Sequence, residues 1–162
     1  MVLTALALLA AACGVSGSSA TLSDAHPTRE AVAAAVLDAI WQRDEARLDA
    51  IAISESEFRA VVWPSLPASR PEVGMPFEYL WADSSTKSRA YRAQLLERWG
   101  GRRLQLEGVA FGGATTDYRS FRVHAATRVL VRDDAGNRRE LRLFGSMIET
   151  SDGWKVYSYV VD

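Results

Sequence analysis

His124, two residues after Arg122, is the side chain in this sequence best suited to move a proton near neutral pH. A single histidine on an outer sheet face is more often a surface residue than a base, and the separate acid candidates are those nearest to aromatic residues: Asp38, Glu78, Asp83 and Asp117. Isomerase or dehydratase chemistry needs one such carboxylate as a base in an apolar pocket, with a Tyr, His or second acid to stabilise the developing charge. Each acid also has a plain reading. Asp38 lies on a polar helix stripe, Glu78 in a first turn, Asp83 at a helix cap and Asp117 in a loop. The single cysteine, Cys13, follows three alanines and precedes a Gly/Ser run. A reactive thiolate needs a folded, electropositive surrounding, and a core thiol needs periodic apolar neighbours on both sides. Neither flank supplies them, so Cys13 reads as an attachment point.

Other constellations fail on inspection. Ser84-Ser85-Thr86-Lys87 has the S-x-x-K spacing of penicillin-binding enzymes, but no S-D-N or K-T-G follows and 162 residues are too few for that fold. There is no P-loop, no H-E-x-x-H and no G-x-S-x-G. With two histidines, His26 and His124, and one cysteine, no metal centre and no cofactor are expected. The 19 basic and 20 acidic side chains nearly cancel, which leaves no field to draw in nucleic acid. One cysteine makes no internal disulfide.

Residues 1–12, MVLTALALLAAA, are uncharged and apolar and end in small residues, the pattern of a signal segment and its cleavage site. The run stops well short of the ~20 apolar residues that span a bilayer. Leu8-Leu9-Ala10-Ala11-Ala12-Cys13 resembles the lipobox of bacterial lipoproteins, in which the cysteine becomes the new N-terminus and carries acyl chains. That resemblance implies a lipoprotein signal peptide over 1–12 and lipid attachment at Cys13. It places the chain in the cell envelope, on the periplasmic face of a membrane, with the outer membrane preferred where there are two, because Gly14 and not Asp follows the cysteine. The Gly/Ser-rich start of residues 13–27 predicts a flexible tether.

One domain is expected over residues 28–162. Thr28-Arg29-Glu30 opens a helix whose stripe is Val32, Val36 and Ile40, with Leu37 and Trp41 beside it. Asp44 caps a short second helix that buries Leu48 and Ile51, and Ser54-Glu55-Ser56-Glu57 is a capping box for a third. Pro64 to Pro76 breaks regular structure. A long helix is predicted over 77–99, stopped by Gly100-Gly101, with a polar centre at Asp83 to Thr86 where a kink or break is expected. Trp41, Trp81 and Trp99 sit at core spacing. Trp63 either plugs the core or lines a pocket mouth, with Phe77 to Trp81 as the other wall.

After Gly101 the period becomes two, and four strands are predicted at 103–111, 119–133, 138–150 and 154–161. Asp134 to Asn137 and Ser151 to Gly153 are hairpin turns. Phe121, Val123, Ala125, Val129 and Val131 should meet the helices, as should Leu141, Leu143, Gly145 and Met147. These inward positions offer no carboxylate. The opposite faces carry Arg122, His124, Phe144, Tyr157 and Tyr159, with Arg128 and Ile148. Arg and aromatic residues are enriched in interaction surfaces. That face reads either as an ordinary outer surface under arginine stems or as a docking face for a protein partner or a second copy forming a homodimer.

The order of elements implies an α+β fold, with N-terminal helices packed on one face of a bent, mainly antiparallel four-stranded sheet. The helical half, the closing sheet and the hairpin from Gly145-Ser146-Met147-Ile148-Glu149 to Gly153-Trp154-Lys155-Val156 resemble the nuclear transport factor two-like superfamily, which includes ketosteroid isomerases and polyketide cyclases. The resemblance implies a cone-like domain with a pocket between helices and concave sheet, used for catalysis or for binding apolar ligands. Fold does not choose between those. The expected function is a membrane-anchored, non-enzymatic domain that binds a protein partner or an apolar small molecule. The alternative is a small isomerase or dehydratase, marked by a buried acid of raised pKa in an apolar pocket.

Overall fold

The computed structural model describes residues 21–161, so Cys13 and the signal segment lie outside the described residues. Thr28 caps α1 (Arg29–Gln42) by accepting from the Ala31 amide, and Asp44 caps α2 (Glu45–Ile51) by accepting from the Arg47 amide. Both halves of the capping box at α3 (Glu55–Glu57) are formed. A wide π-turn over Phe58–Val62 follows and buries Phe58, Val61 and Val62, before Pro64 and Pro67 hold the chain in short 3₁₀ turns. The long helix α4 (Phe77–Trp99) runs unbroken to Gly100. Its polar centre stays helical because both ends are anchored: Phe77, Leu80 and Trp81 pack in one hydrophobic cluster, Tyr91, Leu95, Leu96 and Trp99 in another. An Asp83–Lys87 pair one turn apart bridges the middle at 2.7 Å.

The fold is α+β, with helices packed on antiparallel sheet, but the strands are more divided than the alternation suggests. The expected segment 119–133 is split into β3 (Arg122–His124) and β4 (Thr127–Asp133), and 138–150 into β5 (Arg138–Leu141) and β6 (Ser146–Thr150). With β1 (Leu104–Phe111), β2 (Thr115–Asp117) and β7 (Gly153–Ser158), they form a three-stranded sheet in the order β1-β4-β5 and a four-stranded sheet in the order β2-β3-β6-β7. The breaks fall at Ala126, which turns through a left-handed φ of 53°, and near Gly145, where a Cβ would lie 1.8 Å from the Val160 carbonyl oxygen. At these points two strands leave one sheet and enter the other, which bends the ladder.

Packing corrects the assignment of faces. The sheet around β6 and β7 is covered on both sides: Met147 and Val156 join the cluster beneath α1, while Ile148 and Tyr157 join the cluster of Phe58, Val62, Phe77 and Phe121. Phe144 and Tyr159, expected on an outer interaction face, are fully buried in the α1 cluster, and the Tyr159 hydroxyl donates to the Leu48 carbonyl at 2.7 Å. A sheet covered on both sides reads as alternation whose two faces are equally apolar, so pattern alone does not separate them.

Residues 22–26, expected within the tether, are packed onto the domain. Leu22 is buried in the second cluster, the Ser23 amide donates to Glu57 Oε1 at 2.8 Å, and His26 pairs with Trp154 across the edge of β7. Gly153 makes that approach feasible, since a Cβ there would stand 2.4 Å from the His26 carbonyl oxygen. Trp41 departs from the core expectation as well: it is exposed, with the Arg103 guanidinium 4.0 Å over its ring. Among the described residues, no helix is long and apolar enough to cross a membrane.

Candidate functional site

A cavity of about 640 Å³ opens where the middle of α4 passes over β7 and the segment joining α2 to α3. Its position follows from the polar centre of α4. A helix pinned to two separate clusters leaves its middle turns unpacked, and in this chain those turns carry Asp83, Ser84, Ser85, Lys87 and Ser88. The apolar wall is Ile53, Phe58, Trp81 and Tyr157. Phe58 holds this wall together, with its ring centroid 5.5 Å from that of Trp81 and 6.2 Å from that of Tyr157. Burial pushes the Tyr157 hydroxyl up to about 12, with the nearby Tyr118 adding to the rise, so it is a neutral donor at any ordinary pH.

Beneath the cavity lies a buried ion pair. Lys155, 3% exposed, donates to both Glu57 oxygens at 3.1 Å and to the Ser23 carbonyl at 3.2 Å. Glu57 in turn accepts from the amide and hydroxyl of Ser54 at 2.7 and 2.8 Å and from the Ser23 hydroxyl at 2.9 Å. Burial pushes the Glu57 carboxyl up, but the hydrogen bonds from Ser54, Lys155 and Ser23 outweigh it and hold it below the usual carboxylate range. All three Lys155 protons are used, so the pair ties the N-terminal segment, α3 and β7 together.

Sequence reasoning missed Glu57 as part of a site because a capping-box glutamate ordinarily faces solvent. A lysine at an alternating strand position, Lys155, gives the one sequence signal that a buried acid should oppose it.

The other sequence candidates are scattered. Asp38 pairs with Arg47 at 2.7 Å, and Glu78 with Arg59 at 3.3 Å. Asp117, expected in a loop, is the exposed last residue of β2 and accepts from the Arg119 amide. Asp83 reaches the cavity but is paired with Lys87. Trp63 lies edge-on to Phe77, 5.5 Å between centroids, as a plug of the second cluster. Of the expected interaction face, Arg122 is exposed and bonds Glu149 at 3.0 Å, and Tyr157 lines the cavity.

His124 is buried, with Nε2 2.9 Å from Glu149 Oε2 and Nδ1 3.0 Å from Thr115 Oγ1. Hydroxyl, imidazole and carboxylate thus stand in the order of a nucleophile, base and orienting acid. The surroundings do not support that use. Thr115 and His124 are direct register partners on β2 and β3, and the ring packs in a cluster with Phe111 and Trp154, at 4.6 and 4.9 Å, which are themselves 6.2 Å apart. The nearby Gly112 and Gly113 amides, which could otherwise stabilise an oxyanion, donate to Ala126 and Ala125. The trio latches β2, β3 and β6 together.

Among the described residues no group of three His, Cys, Asp or Glu side chains is placed to hold a metal ion. No protein-family model, curated protein or solved structure matches this chain.

Proposed function

We propose that this chain is a lipid-anchored protein of the cell envelope whose folded domain binds a small, partly apolar molecule in the cavity under α4. The cavity itself carries the reading: about 640 Å³, within the roughly 300–1,000 Å³ typical of small-molecule sites, with an aromatic wall facing a hydroxyl-bearing one. A domain built along nuclear transport factor two-like lines would hold its ligand between helices and sheet, and this cavity lies between α4 and β7. Binding is preferred to isomerase or dehydratase chemistry because the buried acid under the cavity is held ionised by five donor groups, the amides and hydroxyls of Ser23 and Ser54 and the Lys155 ammonium. A base for that chemistry would be raised and free to take a proton.

The test of binding is a thermal-shift series with medium-chain alcohols on the unmodified chain and on Ser85→Trp, which fills the cavity with an indole. A stabilisation that disappears in the filled variant is expected. Equal shifts in both would sink the reading. The anchor is tested separately by the mass of the mature protein from cells making the unmodified chain or Cys13→Ala. A diacylglycerol-sized difference is expected, and an identical unacylated mass would refute it.

A further inference from the structure

We propose that the ligand of this cavity is an amphipathic anion whose carboxylate or phosphate head is received by Arg92, an inference that rests on the cavity being a binding site. Arg92 lines the cavity from α4, and its side chain is only 9% exposed. Its Nε is buried with no hydrogen-bond partner. The one acid beside it, Asp49 on α2, reaches a single terminal nitrogen at 2.6 Å and is itself 68% exposed. A guanidinium does not shed its proton on burial, so an idle Nε remains an unmet donor. With Nε closed off, the guanidinium meets the cavity through its terminal nitrogens, and a carboxylate or phosphate bridging them would supply the charge pairing that the exposed Asp49, on one nitrogen, leaves incomplete.

The surroundings extend the argument. Tyr159 places its ring 5.5 Å from the Arg92 guanidinium carbon, which fixes the guanidinium on one side. Ser88 and Arg89 precede Arg92 by four and three residues, so they lie on the same side of α4, and both line the cavity. Arg89 has no ion-pair partner among the described residues, whereas Lys87 is engaged by Asp83 and Lys155 by Glu57. From Arg92 to Trp81 the helix advances about 16 Å at its usual rise per residue. That span separates a cationic end from the aromatic wall of Phe58, Trp81 and Tyr157, which suits a head with a medium-length apolar body.

The test is calorimetric titration of the full-length chain carrying Cys13→Ser with octanoate, octyl phosphate and octanol, which share one tail and differ in the head. At least one anion should bind ten-fold or more tightly than octanol, and the tighter anion identifies the head. Arg92→Gln should bring both anions down to the level of octanol while leaving octanol unchanged, and Arg92→Lys should recover part of the loss. Octanol binding as tightly as both anions overturns the anionic-head inference and leaves the cavity reading standing. If none of the three binds, the cavity reading fails and this inference with it. Where Arg92→Gln does not fold, the series on the otherwise unmodified chain still tests the anionic head, and Arg92→Lys, which should bind the anions more weakly than the unmodified chain, tests the residue.

Discussion

The residue with the most consequences for stability is Glu57, because one carboxylate serves a helix cap, a strand lysine and the N-terminal segment at once. Removing one partner of a buried pair strands the other charge, at a cost of about 3–5 kcal/mol. Glu57→Gln and Lys155→Met should each approach that in chemical denaturation, and the double variant should lose clearly less than the sum of the two. Additive losses would mean that the two side chains do not interact. The pH dependence has a definite sign. Since the folded carboxyl lies below its ordinary value of 4.5, its stabilisation is complete above that pH and is lost as pH falls toward the folded value. Unfolding midpoints followed from pH 6 down to pH 3 should fall more steeply for the unmodified chain than for Glu57→Gln.

At the scale of elements, the decisive features are the points where strands change sheets. Gly145 sits at such a point with its amide on the Ser158 carbonyl and its own carbonyl on the Thr127 amide, so the backbone there has no room to retreat. A methyl would meet the Val160 carbonyl oxygen at 1.8 Å. Gly145→Ala is therefore expected to destabilise by about 1–3 kcal/mol, the usual cost of overpacking. Gly108→Ala, whose methyl would meet only a Leu130 methyl at 3.6 Å, should stay within about 0.5 kcal/mol of the unmodified chain. Equal effects on thermal midpoints would contradict the packing at Gly145. The same scale explains α4. Its weak centre is tolerated because each end is bound to a different cluster, and that arrangement opens the cavity.

For the whole molecule, the four-stranded sheet is covered on both faces around β6 and β7 by two clusters, and the segment before α1 belongs to the second. Leu22→Ala should cost about 2–5 kcal/mol, as for other buried leucines, although composition places Leu22 in a tether. A change no larger than that of an exposed residue in urea unfolding would return residues 21–27 to the tether. The position of the proposed anchor gains meaning from this packing. If Cys13 carries the lipid, fewer than ten residues separate it from Leu22, which would keep the domain close to the bilayer surface.

The sequence by itself determined the local structure: the caps at Thr28, Asp44 and Ser54, the bounds of α4, and the α+β order of elements. These depend on hydrogen bonds and periodicities within a few residues, which a linear reading carries. Tertiary structure alone decided that Phe144 and Tyr159 are core, that Leu22 is folded in, and that the polar turns of α4, Arg92 and the Glu57–Lys155 pair converge around one cavity. Those outcomes depend on which surfaces meet across more than 30 residues of chain, as with Ser23 and Glu57. Periodicity tells a strand that it has two faces, and only the packed molecule tells it that both are covered.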